Sequence, residues 1–510
     1  MTSPRFILPL FSILGLIGIL NHAMWRDEMN TWLIVRDSAS LGEMLGYVNY
    51  QGHPALWALL VSLVSNIADT PVVMQLLHWF LGTSAVVIFW YFSEFTRLQK
   101  ILFTFGYLPF FEYFLICRPY VLGMLFVFLF CALYPTRKQT YLWLALSLGL
   151  MANSHAFAAI ISLAAVMTLT LEFLWDKEQR SHYLNHKKIY DLILSLIILI
   201  ALYAFAFSVL NPPADSLNVG GRDGWRLNFD VLHLFRVLGR LMGGYVLIIP
   251  NSRRWLDLIL SAGIGLSMVS LIATKLSRNR TPFFFYLLST GGLLSFFYLR
   301  YLGHGARHYG FVYLILIASL WLAQYHEKAD WLAIDKFKLL GKSLSVKRAC
   351  STLLTVVLLF HLGGGLYRFS LDLVVPLSAG KAAAQYIRES ELETEFIMAS
   401  PDVNMATVSG YLGQPLYYPE LQGMGSFTIY QEGRRTLVEQ PDVLEQAHGL
   451  LPGIPNCRIL LVLREPLEAQ HPDLALTSLI TFEKSWISGE RMYLYWLTSK
   501  EPSATCEANG

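Results

Sequence analysis

The feature that most constrains the fold is a series of long apolar segments, which recur from the N-terminus to about position 369. A helix needs about 20 apolar residues to cross about 30 Å of hydrocarbon, because each residue adds about 1.5 Å. Hydrophobic residues make up 55% of the 510 residues and charged residues only 15%, which is too apolar for a fold surrounded by water. The sequence therefore predicts a mainly α, polytopic transmembrane helical bundle.

The apolar segments predict about eleven membrane spans. The first span has no small-x-small cleavage site after it, so we interpret it as a retained helix rather than a signal peptide. The segment from Gly52 to Ile67 is shorter, and we interpret it as an interfacial helix. The predicted spans are 5–22, 72–92, 101–117, 119–134, 140–153, 155–175, 189–210, 255–274, 282–299, 309–325 and 350–369.

The orientation follows from the basic residues, which gather in every second loop. Loops rich in Lys and Arg stay on the cytoplasmic side. An odd number of spans then places the C-terminus outside, and the division is a transmembrane domain, 1–370, and an extracytoplasmic domain, 371–510. The predicted outer segments are 23–71, 211–254, 300–308 and the residues after 370.

The polar tail shows both helical and strand patterns, which indicates a mixed α/β domain. It contains Cys457 and Cys506, and a disulfide between them is an alternative that the sequence leaves open. The five cysteines lack the spacing of a zinc site. The predicted elements are a helix at 378–389, a strand at 396–399, a helix at 442–448, a strand at 459–463 and a hairpin around Ser488 and Gly489.

The charge pattern argues against a nucleic-acid partner. The net charge is only +3, and the basic residues are dispersed in short groups between apolar segments. A nucleic-acid-binding surface needs clustered Lys and Arg. We therefore expect membrane lipids, and no nucleic acid, around this chain.

Two adjacent carboxylates, Asp27 and Glu28, follow the predicted outer end of the first span. A carboxylate next to low-dielectric lipid tends to have a raised pKa and can act as a general base toward a hydroxyl or an amine. The alternative is a solvated interfacial loop in which Trp25 and Trp32 serve as belt aromatics.

Two further motifs carry candidate substrate ligands. His53 stands in the His-Pro step of Gln51-Gly52-His53-Pro54-Ala55-Leu56-Trp57, and Arg118 and Tyr120 stand in Cys117-Arg118-Pro119-Tyr120. An Arg at the interface is costly unless it meets an anion such as a lipid-linked phosphate. The alternative for Arg118 is that it extends to lipid headgroups. His155, in the turn Asn153-Ser154-His155, is a weaker candidate of the same kind.

A third cluster lies between two predicted spans and contains Arg300, His304, Arg307 and His308. Four potential cations in a Gly-containing turn suit a phosphate or a pyrophosphate. Basic residues on the outer side also run against the usual charge bias, which favours function here. The loop 211–254 is basic too, and we interpret it either as a substrate-gating loop or as an interfacial helix.

The outer Asp-Glu pair, the His-Pro step before an apolar segment and the later Arg-x-Tyr step resemble the GT-C glycosyltransferase superfamily. Within it, the pattern is similar to that of protein O-mannosyltransferases and aminoarabinose transferases. The resemblance covers about residues 5–370 and rests on topology and short motifs. It implies a polyprenyl-phosphate-linked sugar as the donor and a glycan, lipid or protein acceptor.

The resemblance also implies roles for the candidate residues. Asp27 would be the general base, with Glu28 as its polar neighbour, and one displacement would invert the anomeric carbon. His53 and His155 would contact substrate. The donor phosphate would meet Arg118, Tyr120, Arg300, His304, Arg307 and His308.

The sequence departs from some relatives in ways that bear on metal dependence. No acidic residue lies between Arg118 and Gly123, and the nearest one, Glu112, falls inside the predicted third span. The His-Pro step also lacks the second Pro and the Lys of some relatives. These departures favour a mechanism without a metal or another cofactor, and a divalent metal is the alternative that the sequence leaves open.

Two other classes of function stay open on the sequence alone. A transporter or lipid flippase would also have many spans, but it would place ionisable residues near the membrane midplane. A non-catalytic scaffold of a cell-envelope glycan complex would use the outer domain for binding. We expect a bacterial inner membrane as the location.

Overall fold

The computed structural model describes residues 3–185, 188–217, 229–252, 254–303, 305–326, 336–339, 342–436 and 438–500. The helices in these ranges are α1 (Pro4–Asn21), α2 (Arg26–Asp37), α3 (Leu41–Val48), α4 (Leu56–Ser65), α5 (Val72–Phe92), α6 (Arg97–Thr104), α7 (Tyr120–Leu133), α8 (Leu142–Ala152), α9 (Ala156–Trp175), α10 (Lys177–Asn185), α11 (Ile189–Leu210), α12 (Val231–Gly239), α13 (Leu241–Tyr245), α14 (Trp255–Leu276), α15 (Arg280–Leu299), α16 (Gly305–Leu322), α17 (Val346–Asp372), α18 (Gly380–Glu389), α19 (Asp402–Leu412) and α20 (Gln440–Leu450). The strands are β1 (Lys336–Leu339), β2 (Lys342–Ser345), β3 (Phe396–Ser400), β4 (Leu416–Tyr418), β5 (Gly423–Gly425), β6 (Arg458–Leu463), β7 (Leu474–Phe482) and β8 (Met492–Ser499).

Nine helices of the described part of the chain are long and apolar enough to cross a membrane. They are α1, α5, α7 with the turn that follows it, α9, α11, α14, α15, α16 with its following turn, and α17. The helix α8 is also apolar but has only 11 residues. These helices confirm the predicted polytopic membrane bundle.

The predicted span 101–117 is not one helix. The helix α6 ends at Thr104, and a π-helical turn, Leu108–Glu112, follows after a break. Pro109 lacks the N–H that would continue an α-helical ladder, and Gly106 allows the backbone to approach His361 of α17 closely. The chain after this turn leads to Arg118, so the break positions a candidate site residue.

The segment Gly52 to Ile67, which the sequence predicts to be an interfacial helix, contains α4, which has 10 residues and is therefore only about half as long as a membrane span. It packs against α2 and α5. The loop 211–254 also contains two helices, α12 and α13. The first packs on α14 and the second on α16. Residues 218–228, with the Gly-rich part of that loop, and Arg253 lie outside the described residues.

The C-terminal domain, residues 373–500, is built on a six-stranded sheet with the order β5-β4-β3-β6-β8-β7. β3 is parallel to β4 and β6, and the other pairs are antiparallel. Leu460 and Val462 of β6 face one hydrophobic cluster, while Ile459 and Leu461 face the other. Helices α18 and α19 cover the first face and α20 the second, which explains why β6 is apolar without alternation.

The predicted elements of the tail match this domain closely. The segment 378–389 corresponds to α18, 396–399 to β3, 442–448 to α20 and 459–463 to β6. The hairpin around Ser488 and Gly489 is the antiparallel pair β7 and β8. Cys457 is disulfide-bonded, and Cys506 lies outside the described residues.

The C-terminal domain lies on the end of the bundle at which α1 ends. Gly410 of α19 lies directly against Met29 of α2, and a Cβ at this glycine would overlap the methionine sulfur. The backbone N–H of Met24 donates to the Tyr411 hydroxyl at 2.8 Å. This packing places the domain above the segment that carries Asp27.

Candidate active site

The helix α2 begins immediately after the turn that follows α1. Trp25 is extended, and its backbone N–H donates to the Glu28 carboxylate at 3.2 Å, which caps the helix in the way that a glutamate at the third position does. Asp27 and Glu28 also favour the positive end of the helix dipole. Neighbouring side chains on a helix point about 100° apart, so the two carboxylates face different surroundings.

Glu28 faces the interior and does not line the cavity described below. It accepts from the Cys117 backbone N–H at 2.5 Å and pairs with His22 Nε2 at 3.1 Å, and His22 Nδ1 lies 2.8 Å from Asp372. Burial lowers the pKa of His22, but the charges of Asp372 and Glu28 outweigh it and raise that pKa to about 10. Glu28 therefore joins α1, α2 and α17 to the segment before Arg118.

Asp27, Arg118 and His53 lie together at one cavity of about 490 Å³, which we call the Asp27 cavity. Arg118 Nη1 pairs with Asp27 Oδ2 at 2.5 Å, and Arg118 Nη2 lies 3.1 Å from His53 Nε2. The side chain of Asp27 is 30% exposed and that of Arg118 is 12% exposed. Three residues that are far apart in sequence thus form one polar cluster.

The pKa of Asp27 lies below its usual value, contrary to the raised pKa that the sequence predicts. Burial alone raises it, but the charges of Arg118, Arg307 and Arg26 together lower it more strongly. Lipid proximity is thus outweighed by the three guanidinium groups. Asp27 is a carboxylate at neutral pH.

His53 is neutral in this environment. Burial and the charges of Arg118 and Arg307 lower its pKa to about 3, although Asp27 acts in the opposite direction. Its Nδ1 atom is buried and has no hydrogen-bond partner among the described residues. A neutral imidazole with a spare ring nitrogen can donate to or accept from a bound hydroxyl.

Arg26 lies beside Asp27 and connects it to the C-terminal domain. Its Nε is 3.8 Å from Asp27 Oδ1 and 3.9 Å from Glu490 Oε1. Glu490 is fully buried, and burial raises its pKa to about 7. Asn404 Nδ2 is 3.4 Å from the same Glu490 oxygen.

The C-terminal domain supplies the roof of the Asp27 cavity through the roof segment, residues 426–436. The Thr428 backbone N–H donates to Asn30 Oδ1 at 2.8 Å, and the Asn30 and Gln51 amides donate to the Thr428 carbonyl at 3.2 and 3.3 Å. The Leu217 backbone N–H donates to the Tyr430 carbonyl at 2.8 Å. The roof segment is therefore attached to the bundle by backbone and side-chain hydrogen bonds.

Arg434 of the roof segment also lines the Asp27 cavity. Its Nε donates to Asp402 Oδ2 at 2.9 Å, and a second donor of the same guanidinium pairs with Asp402 Oδ1. Asp402 is fully buried, and the Arg434 guanidinium lies 5.6 Å from the Tyr430 ring centroid. This two-pronged pair fixes the arginine, which fits its planar fork of donors.

A buried chain of polar rings lies behind Arg118. The Arg118 guanidinium is 5.8 Å from the Tyr120 ring centroid, and the Tyr120 hydroxyl is 3.1 Å from His308 Nε2. The His155 ring lies 5.1 Å from that of Tyr120, and His155 Nδ1 accepts from the Ala158 backbone N–H at the start of α9. These three side chains are buried and support Arg118 rather than line the cavity.

Arg300 and Arg307, which both belong to the basic turn 300–308, have different surroundings in the structure. The Arg307 guanidinium lies 5.3 Å from the Trp25 ring centroid and is close enough to act on the pKa of Asp27. Arg300 follows the last residue of α15 and is not in the lining of the Asp27 cavity. His304 lies outside the described residues.

Sequence reasoning missed the contribution of the C-terminal domain to the cavity. Tyr430, Arg434 and Thr428 follow β5 with no recognisable motif, and only the tertiary contact of the roof segment brings them to Asp27. Arg26 and Asn30 stand in the same short motif as Asp27. Their spacing of four residues, which places them on one helix face, is the signal that identifies them.

No protein-family model matches this chain, and neither does any curated protein. Among solved structures, ArnT from Cupriavidus metallidurans, crystallised with undecaprenyl phosphate bound, aligns with a TM-score of 0.52 at 11% identity and covers 96% of this chain and 97% of its own. The arabinofuranosyltransferase AftD from Mycobacteria aligns with a TM-score of 0.40 at 12% identity and covers 98% of this chain and 40% of its own. The likeness to ArnT shows that this chain shares the fold of that structure along nearly its whole length.

Proposed function

We propose that this protein is an integral membrane glycosyltransferase, which moves a sugar from a polyprenyl-phosphate donor to an acceptor at the outer face of the membrane. The observation that carries the proposal is the Asp27–Arg118 pair in a cavity at one end of the bundle. In this proposal Asp27 is the base and Arg118 is the cation that binds the phosphate. The ArnT structure supports the donor class, because it holds undecaprenyl phosphate.

The arginines of the cavity suit the donor phosphate. Arg118, Arg26 and Arg434 line the cavity, and Arg307 acts on Asp27 from nearby. A guanidinium binds phosphate oxygens with two parallel hydrogen bonds. These charges stabilise the negative charge that develops on the leaving phosphate.

Asp27 is the general base in this proposal. The acceptor oxygen attacks the anomeric carbon, the bond from that carbon to the phosphate oxygen breaks, and the acceptor proton passes to the Asp27 carboxylate. The phosphate leaves as an anion on the arginines. One direct displacement inverts the anomeric carbon.

The Asp27–Arg118 pair also suggests how the base is controlled. A carboxylate held by a guanidinium at 2.5 Å is a weak base. When a donor phosphate binds Arg118, it competes with Asp27 for the same guanidinium donors. Donor binding thus raises the basicity of Asp27 at the moment when an acceptor has to be deprotonated.

We further propose that the transfer needs no metal in the Asp27 cavity. Asp27 is the one carboxylate that lines the cavity among the described residues, and three arginines lower its pKa. A divalent cation needs several oxygen ligands and an excess of negative charge. The cavity offers positive charge instead, and the arginines take the role that a metal would have.

The experiment that tests the function uses purified full-length protein and polyprenyl-phosphate sugars with a radiolabelled hexose or pentose. Label release and transfer to glycan, lipid and protein acceptors are measured with and without a chelator. We expect turnover with at least one donor and no effect of the chelator. Loss of activity in the chelator contradicts the metal-independent mechanism.

Arg118→Ala and Arg36→Ala form a matched pair for the donor site. Each arginine is paired to an aspartate at 2.5 Å, and their exposed fractions are 12% and 13%, but only Arg118 lines the Asp27 cavity. We expect Arg118→Ala to weaken polyprenyl-phosphate binding about 10-fold or more, and Arg36→Ala to leave it unchanged. Equal binding by both variants, or no transfer from any donor, would favour a transporter or a scaffold.

A further inference from the structure

A second cluster of metal-ligating side chains lies on the C-terminal domain, away from the Asp27 cavity. His448, His471 and Asp473 each place a ligand atom within 4.8 Å of the others. His448 lies in the last turn of α20, and the other two precede β7. Two imidazoles and a carboxylate are the ligand types that Zn²⁺ prefers.

The local structure preorganises two of these residues. The Lys500 ammonium donates to the Pro472 carbonyl at 2.7 Å, and the Lys500 backbone N–H donates to the Asp473 carbonyl at 2.9 Å. These bonds fix the turn that carries His471 and Asp473 to the end of β8. The rings of His448 and His471 face each other with centroids 4.9 Å apart.

Glu445 supplies the supporting interaction that a histidine ligand requires. It stands three residues before His448 on α20, so both side chains lie on one helix face. His471 Nε2 is 3.2 Å from Glu445 Oε2, and His471 Nδ1 is the atom that accepts from the Asp473 backbone N–H. A metal-bound histidine commonly donates its other ring N–H to a carboxylate, which orients the ring.

We infer that His448, His471 and Asp473 form a site for a divalent transition metal, Zn²⁺ above all. His471 binds the ion through Nδ1, whose lone pair then leaves the Asp473 backbone N–H, and keeps its Nε2–H on Glu445. The carboxylates of Asp473 and Glu445 supply negative charge beside the two imidazoles, and Lys500 is engaged with backbone carbonyls. The protein supplies three ligands, and a water takes the fourth position of the tetrahedral site.

The position of the site in the sheet indicates a stabilising role. β7 is an edge strand, and β5, which leads into the roof segment, is at the other edge. Five interstrand steps of about 4.8 Å separate the two edges by about 24 Å. The metal therefore joins α20 to the start of the edge strand and takes no part in the chemistry of the Asp27 cavity.

The test is calorimetric titration of Zn²⁺ into purified full-length protein that has been freed of metal, followed by thermal unfolding with and without Zn²⁺. We expect one site that raises the unfolding temperature and that is lost in His471→Ala and in His448→Ala. Glu445→Gln weakens binding about 10- to 100-fold, because it removes only the supporting carboxylate. Mg²⁺, which prefers oxygen ligands, gives no such shift.

Two controls separate this site from the proposed transferase. Asp27→Asn keeps full Zn²⁺ binding, and Asp473→Asn weakens binding with little risk to folding, because Asp473 is exposed. Circular dichroism verifies the fold of each variant. The inference is wrong if the wild type binds no Zn²⁺, or if binding persists in both histidine variants.

Discussion

Replacing Asp27 by Asn tests the proposed base with the least disturbance of the cavity. Asn keeps an oxygen that accepts a hydrogen bond from Arg118, but it cannot take the acceptor proton. The pair is partly exposed, so we expect a loss of folding stability of about 1 kcal/mol or less. Initial rates with saturating donor and acceptor then report on the base alone.

The size of the effect follows from the charges around the carboxylate. General-base catalysis contributes about 10²- to 10⁴-fold. When the donor phosphate occupies Arg118, Arg307 and Arg26 still lower the pKa of Asp27, so the base stays weak and we expect a loss in kcat near about 10²-fold, or about 3 kcal/mol. The lowered pKa also keeps Asp27 ionised at neutral pH.

Asp37→Asn is the matched control for this prediction. Asp37 is the last residue of the same helix, is 28% exposed and pairs with Arg36 at 2.5 Å, yet it does not line the Asp27 cavity. Asn at this position keeps an oxygen that accepts from the Ser426 hydroxyl of the roof segment. We expect its kcat to stay near that of the wild type. Equal activity of Asp27→Asn and the wild type, with both folded, would refute the assignment of Asp27 as the base.

Three further outcomes follow from the same structure. Arg434→Ala lowers kcat/KM about 10-fold or more because it removes a cation from the Asp27 cavity. Arg435→Ala, which removes a surface pair with an aspartate, leaves kcat/KM unchanged. Equal losses in the two variants would contradict a role for the roof segment. Glu490→Gln leaves the unfolding temperature unchanged near pH 4 and raises it at pH 8. The pKa of this buried carboxyl is raised to about 7 in the folded protein, so the wild type loses up to about 3 kcal/mol of stability as pH rises from about 4.5 to about 7. An equal shift at both pH values would argue against this. The pKa of His22 is raised to about 10, so its charged form contributes stability that is fully present below about pH 6.5 and is lost as pH rises through about 10. We therefore expect the unfolding temperature of the wild type to fall between pH 7 and 10, and that of His22→Gln to be lower and to change less with pH. Parallel curves for the two proteins would contradict this prediction.

The sequence predicted Asp27 and Arg118 as site residues because each follows an apolar segment, at the predicted end of a span. It did not separate Asp27 from Glu28, since adjacent residues on a helix face different directions and only packing decides which direction is the cavity. Glu28 faces His22 and Cys117. The direction of the Asp27 pKa also depended on tertiary structure, because the guanidinium groups that lower it come from three separate segments.

The sequence by itself determined the class of fold, because apolar segments of about 20 residues have few alternatives to spanning a membrane. It also determined most elements of the C-terminal domain, since strand and helix patterns depend on local periodicity. Only the tertiary structure decided that α19 packs on α2 and that Arg434 reaches the cavity. Such contacts join residues hundreds of positions apart, and their energy depends on surfaces that no local pattern specifies.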